Sequence, residues 1–152
     1  MSESYEDLVA REVVATRVIP ASRERVFEAF SNAEALTRWW GPDGFTSTFH
    51  AFEFRAGGDW RFTFHGPDGA TYENELVFAS VDAPQRIVLD HLSQEQFRAT
   101  ITLDAIEGGT KVTFRQLFDT QQTFEAVSGV VIPANEQLLA RLDAVVLGSA
   151  LA

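Results

Sequence analysis

Apolar residues recur at every second position in successive segments between Trp60 and Phe118. That alternation marks strands buried on one face, because strand side chains point to opposite sides in turn. Turn signals separate the segments: Gly66-Pro67-Asp68-Gly69, Asp82 to Gln85 with Pro84, and Gly108-Gly109. Strands are predicted over 60–65, 71–80, 86–91, 96–106 and 110–118, preceded by strands over 12–19 and 45–54. The Gly57-Gly58 pair turns the chain between 45–54 and 60–65. Hairpins centred on the turns bring Phe62 near Asn74, Phe64 near Tyr72, His91 near Phe97 and Leu76, and Leu103 near Phe114. One face then gathers Phe62, Phe64, Phe78, Phe97, Phe114 and their apolar neighbours, together with a few polar groups: Tyr72, Asn74, His91 and Gln116. A slip of one residue would invert the two faces, so the parity is tightly constrained.

Helical spacing takes over at two places. Ser22 is a good N-cap for a helix carrying Val26, Phe27 and Phe30, and Asn32 caps a second short helix through Trp39. Gly41, Pro42 and Gly44 end that helix. Near the C-terminus, 124–131 reads as a helix start, and Pro133 suits the first turn of a helix over 134–147. Leu138, Leu142 and Val145 form its apolar stripe, widened by Leu139 and Val146. An apolar sheet face needs a cover, and this last helix supplies one. The predicted fold is α+β, a helix-grip arrangement. A curved antiparallel sheet of about seven strands wraps a long C-terminal helix, with two short helices after the first strand. Residues 1–10 read as an N-terminal tail and 11–148 as a single domain.

Composition narrows the function classes. The chain has 152 residues, 13 of them Phe, and a formal charge of −10. The acidic balance argues against nucleic-acid partners and anionic membrane surfaces. The absence of Cys removes disulfides, thiol nucleophiles and thiolate metal sites. No secretory signal or membrane-spanning stretch is legible, so a cytoplasmic location is expected.

Polar groups on an apolar face need partners, from the protein or from something bound. The expected site is therefore an apolar pocket with a small polar end, between the sheet and the last helix. Its candidate ligand-binding residues are Trp40, Trp60, Phe62, Phe64, Tyr72, Asn74, Phe78, His91, Phe97, Phe114, Gln116, Leu138 and Leu142. His91 with Asn74 and Tyr72 is the leading polar cluster, read either as ligand-orienting groups or as an internal hydrogen-bond network. Trp39 and Trp40 lie at a helix end, where one can rim the cavity and packing is the commoner role. By parity His65 points outward and His91 inward, so no metal site is expected. No phosphate loop, nucleophile elbow or paired-carboxylate site is legible, and no cofactor or catalytic residue is assigned.

Three stretches resemble a known family: 17–30 (Arg17-Val18-Ile19-Pro20-Ala21-Ser22 with Val26-Phe27 and Ala29-Phe30), Trp39-Trp40-Gly41-Pro42 with Gly44-Phe45, and Phe54-Arg55-Ala56-Gly57-Gly58-Asp59-Trp60. They are similar to homologues of the activator of the heat-shock-protein-90 ATPase, within the START-like (SRPBCC) superfamily. Tyr72, Asn74, Pro84, Arg86-Ile87-Val88, His91, Phe97, Gly109-Thr110, Gln137, Leu139 and Arg141-Leu142 continue the resemblance. It spans about residues 11–147. The chain departs at Pro133-Ala134, where the family usually opens its last helix with Gly. The resemblance implies the helix-grip fold and leaves activity open, because one fold hosts many functions. The leading expectation is a protein that binds a small apolar or aromatic molecule. One alternative is a chaperone-ATPase regulator or other interaction protein, with a protein partner. Another is a cyclase-, dehydratase- or hydrolase-like enzyme using His91. Monomer and homodimer are both compatible with the sequence.

Overall fold

The structure is a computed structural model and describes residues 10–148. The predicted tail falls almost wholly on residues 1–9, outside the described residues. The chain order is β1 (Glu12–Ile19), α1 (Arg23–Ser31), α2 (Ala33–Trp39), β2 (Thr46–Phe52), β3 (Asp59–His65), β4 (Thr71–Asp82), β5 (Arg86–His91), β6 (Phe97–Ile106), β7 (Gly109–Phe118) and α3 (Gln121–Leu147). The seven strands of the described residues pair antiparallel in one sheet, ordered β1-β7-β6-β5-β4-β3-β2. This is the helix-grip arrangement that the alternation and the last amphipathic stretch predict.

The capping chemistry is as read from the sequence. Ser22 accepts from the Arg25 amide at 3.2 Å, and Asn32 accepts from the Ala35 amide at 3.1 Å. The register places Phe62 opposite Asn74, Phe64 opposite Tyr72, Leu76 opposite His91 and His91 opposite Phe97. One pairing differs from expectation: Leu103 faces Val112, and Phe114 faces Ile101. The turn is centred on Glu107-Gly108, one residue earlier than Gly108-Gly109. That moves each partner by two and keeps every side chain on its predicted face.

The C-terminal helix differs more. Pro133 does not begin it; it lies inside one continuous helix that starts at Gln121, capped by Thr120 accepting from the Thr123 amide at 3.0 Å. Proline lacks the N–H that would meet the carbonyl of Gly129, so the helix forgoes one bond there. None of residues 121–134 is fully buried. From Asn135 onward the helix packs: Asn135, Leu138, Leu139, Leu142 and Val146 are buried. Only the C-terminal half of α3 therefore closes tightly against the sheet.

The concave face at the β2–β3–β4 side is filled by rings. Trp60 stacks on Phe78 with centroids 5.9 Å apart and planes 3° apart, and Phe49, Phe52 and Phe62 pack around Trp60. Trp39 is fully buried, and its indole donates to the Ala29 carbonyl at 3.0 Å. It belongs to the core, as the packing role foresaw.

The turn between β2 and β3 docks into β4. Gly57 donates to the Phe78 carbonyl at 2.7 Å, and the Phe78 amide donates to the Gly58 carbonyl at 2.9 Å. A Cβ on Gly58 would meet the Glu53 carbonyl oxygen at 1.9 Å. Backbone cannot give way as a side-chain tip can. Gly58→Ala is therefore expected to cost about 2 kcal/mol or more, read as a lowered urea midpoint at unchanged slope.

Candidate functional site

Where α3 stops packing against the sheet, a cavity of about 190 Å³ opens. Trp40, Gly41 and Pro42 wall it on the α2 side; Phe62, Phe64, Asn74, Leu76, His91, Phe97, Phe114 and Gln116 come from the sheet. Ala134, Asn135 and Leu138 close it from the helix, and Gln94 and Glu95 from the β5–β6 turn. Nine of the thirteen residues proposed from sequence thus border one space. The other four do not line it. Trp60 and Phe78 are in the ring cluster, and Leu142 is fully buried further along the helix. Tyr72 is 45% exposed, its ring lying against Phe45 with centroids 6.3 Å apart. It has the right parity but sits at the start of its strand, away from the helix.

A loop holds the wall formed by Gly41 and Pro42. Arg141 of α3 donates to the carbonyls of Gly41 (2.8 Å), Pro42 (2.9 Å) and Arg38 (2.8 Å). Gln137, one turn earlier, accepts from the Asp43 amide at 3.1 Å. Burial lowers the Arg141 pKa, partly offset by the charge of Asp43. Gly41 has φ +110°, and a Cβ there would meet Phe64 Cε1 at 2.9 Å, so glycine is needed for both reasons.

The polar end of the cavity has two parts. In the first, His91 Nδ1 lies 2.9 Å from the Glu95 carbonyl, and Nε2 lies 2.7 Å from Asn74 Oδ1. Asn74 is oriented by donating from Nδ2 to the Tyr72 carbonyl at 3.0 Å. The imidazole stacks on Phe97, with centroids 4.7 Å apart and planes 6° apart. Both ring nitrogens thus face acceptors. A neutral ring has one proton to share between them; satisfying both takes an imidazolium or rotation of the Asn74 amide. Burial is the larger influence and pushes the His91 pKa below its ordinary 6.5, against the raising effects of the Glu95 carbonyl and carboxylate.

The second part is a buried bond across the sheet–helix gap. Asn135 Nδ2 donates to Gln116 Oε1 at 2.8 Å. Gln116 follows from strand parity. Asn135 was not foreseen: a polar residue within an apolar helix stripe looks solvent-facing until the partner strand is placed. Leu76, Gln94, Glu95 and Ala134 also escaped the sequence-based site; Leu76 has the right parity, whereas the other three come from a turn and a helix.

A second cavity of about 280 Å³ shares Glu95, Phe97 and Gln116 as walls and lies under Ala126, Val127, Val130 and Val131 of α3. A more polar depression of about 480 Å³ runs past Asp90 and Arg98. These two are already paired at 2.7 Å and 2.9 Å, so their charges offer little to a ligand. Among the described residues no group of three or more His, Asp or Glu could hold a metal ion, and no helix is long and apolar enough to cross a membrane.

Comparison with known proteins agrees with this architecture. A family model described as "Activator of Hsp90 ATPase homolog 1-like protein" matches residues 20–146. A solution structure of a protein from Arthrobacter aurescens superposes with TM-score 0.85 at 22% identity, covering 98% of this chain and 91% of the other. A crystal structure from Nitrosomonas europaea gives TM-score 0.84 at 15% identity, covering 92% and 96%. One from Rhodobacter sphaeroides gives 0.80 at 25%, covering 94% and 95%. No curated protein matches the chain significantly.

The His91 environment has a pH signature. A histidine whose folded pKa is depressed leaves the unfolded chain binding more protons below 6.5. Its contribution is full above that value and is lost as pH falls toward the folded pKa. Wild-type stability is expected to fall more steeply than that of His91→Gln as pH drops below about 6.5, the difference amounting to at most one proton. Urea melts of both proteins across this range check it.

Proposed function

The chain belongs to the Activator of Hsp90 ATPase homolog 1-like family, and from that premise we propose that it binds a small apolar or aromatic molecule in the cavity between the sheet and the C-terminal helix. The helix-grip fold commonly binds ligands. The observation that carries the reading is the lining: five aromatic side chains, Trp40, Phe62, Phe64, Phe97 and Phe114, converge with a few polar groups on one unfilled space. The volume sets the scale. A cavity of about 150 Å³ is enough to hold benzene, so about 190 Å³ suits one substituted ring. A longer ligand would extend toward the neighbouring cavity beside Gln116.

The enzyme alternative draws no support from His91. A proton shuttle needs a ring nitrogen free to reach substrate, and both nitrogens are engaged with Glu95 and Asn74. Phe97 covers one face of the ring.

Filling the space tests the proposal. Ala134 lines the cavity from the helix and is half-buried, so a larger side chain can enter without displacing the packed core. Ala134→Phe is expected to stay folded by circular dichroism and to weaken binding of a toluene probe, read by amide NMR shifts, by about tenfold or more. Undiminished toluene binding by a folded Ala134→Phe protein would refute the assignment to this cavity.

A further inference from the structure

Gln116 and Asn135 are each only 6% exposed, and both line the cavity. Their mutual bond uses Asn135 Nδ2 and Gln116 Oε1. The other two polar atoms, Gln116 Nε2 and Asn135 Oδ1, have no hydrogen-bond partner among the described residues, although neither is sealed off within the protein. A ligand that covers these atoms without pairing them costs roughly 1–3 kcal/mol for each. The pair therefore keeps one donor and one acceptor without a partner among the described residues. The pattern survives the ambiguity of amide orientation. Flipping both side chains makes Gln116 the donor and Asn135 the acceptor of the shared bond, and again leaves one NH₂ and one carbonyl oxygen free.

The charges around the space point the same way. Among the described residues, Glu95 is an acidic residue in the lining, and no Lys or Arg lines the cavity. The chain as a whole carries −10. A carboxylate brought here would lose its hydration with no cation to compensate and would face Glu95. A cation would find one carboxylate, yet the free Gln116 NH₂ would then oppose it.

We infer that the cavity selects an uncharged ligand whose polar head presents an acceptor and a donor side by side, as a carboxamide or a lactam does, seated on Gln116 and Asn135. The inference rests on the proposed binding function and names the chemical class that this site takes. The apolar body of the ligand lies against Phe62 and Phe114, and its head bridges β7 and α3. The head's carbonyl accepts from the free NH₂, and its N–H donates to the free carbonyl oxygen. The site then discriminates by leaving polar groups unpaired when the wrong head enters, which rejects more strongly than shape alone.

Four probes with one ring separate the possibilities: toluene, methyl benzoate, benzamide and sodium benzoate, each titrated at about pH 8 while amide NMR spectra are recorded. Benzamide is expected to bind at least about tenfold tighter than methyl benzoate and benzoate, as one or two added hydrogen bonds imply. It should also move the side-chain NH₂ signals of Gln116 and Asn135 downfield, beyond the ring-current shift that toluene alone produces. Gln116→Met, checked for folding by circular dichroism, should bring benzamide to the level of methyl benzoate. Toluene binding with no preference for benzamide would overturn the inference and leave the binding function standing. Equal binding of benzoate and benzamide would overturn it as well. Failure of all four probes to bind would remove the binding function and this inference together.

Discussion

The long C-terminal helix covers the concave face of the sheet together with α1 and α2, and it packs tightly along only half its length. From Asn135 to Val146 its apolar stripe is buried. Before Asn135 it is not, and Val130 and Ile132 stand 73% and 51% exposed. The sheet compensates on one side by filling its own concavity with rings, from Phe49 through Trp60 to Phe78. Where neither the rings nor the packed half of the helix reaches, space is left. The cavity is thus a consequence of how the apolar surface is distributed, and its polar groups sit at the boundary between the packed and unpacked parts of α3.

That boundary is held by backbone anchoring as much as by apolar contact. Arg141 meets three carbonyls at the end of α2 and in the following loop, and Gln137 takes an amide of the same loop. A planar guanidinium with several fixed donors suits such a cluster; a lysine would supply a single charged tip. Through these bonds the position of α3 fixes where Trp40, Gly41 and Pro42 stand. Any shift of the helix would therefore move two walls of the cavity at once, while the Asn135–Gln116 bond ties the same helix to β7.

The sheet was legible because its pattern is redundant. Alternation, turn residues and the cost of a one-residue slip all agreed, so a turn expected at Gly108-Gly109 and found at Glu107-Gly108 moved partners by two without changing faces. Helix caps at Ser22 and Asn32 were legible for a similar reason, since the chemistry is local. What escaped depends on distant parts of the chain. Pro133 reads as a helix start from local preference, yet tertiary packing carries the helix through it. Tyr72 has the correct parity, but how far along its strand the cavity extends is set by the helix. Asn135 acquires its meaning from Gln116, a residue nineteen positions away. His91 and Asn74 were legible as a cluster; that the imidazole lies between Asn74 and the Glu95 carbonyl depends on the turn between β5 and β6.

The central claim is that an accessible apolar space persists between the sheet and α3 at the level of Leu138. Diffraction from a xenon-pressurised crystal tests it most directly, because xenon enters dry apolar cavities and reveals itself by its electron density. The account predicts a xenon peak bounded by Trp40, Phe62, Phe114 and Leu138. Side-chain density filling that volume, with no xenon between sheet and helix, would contradict it.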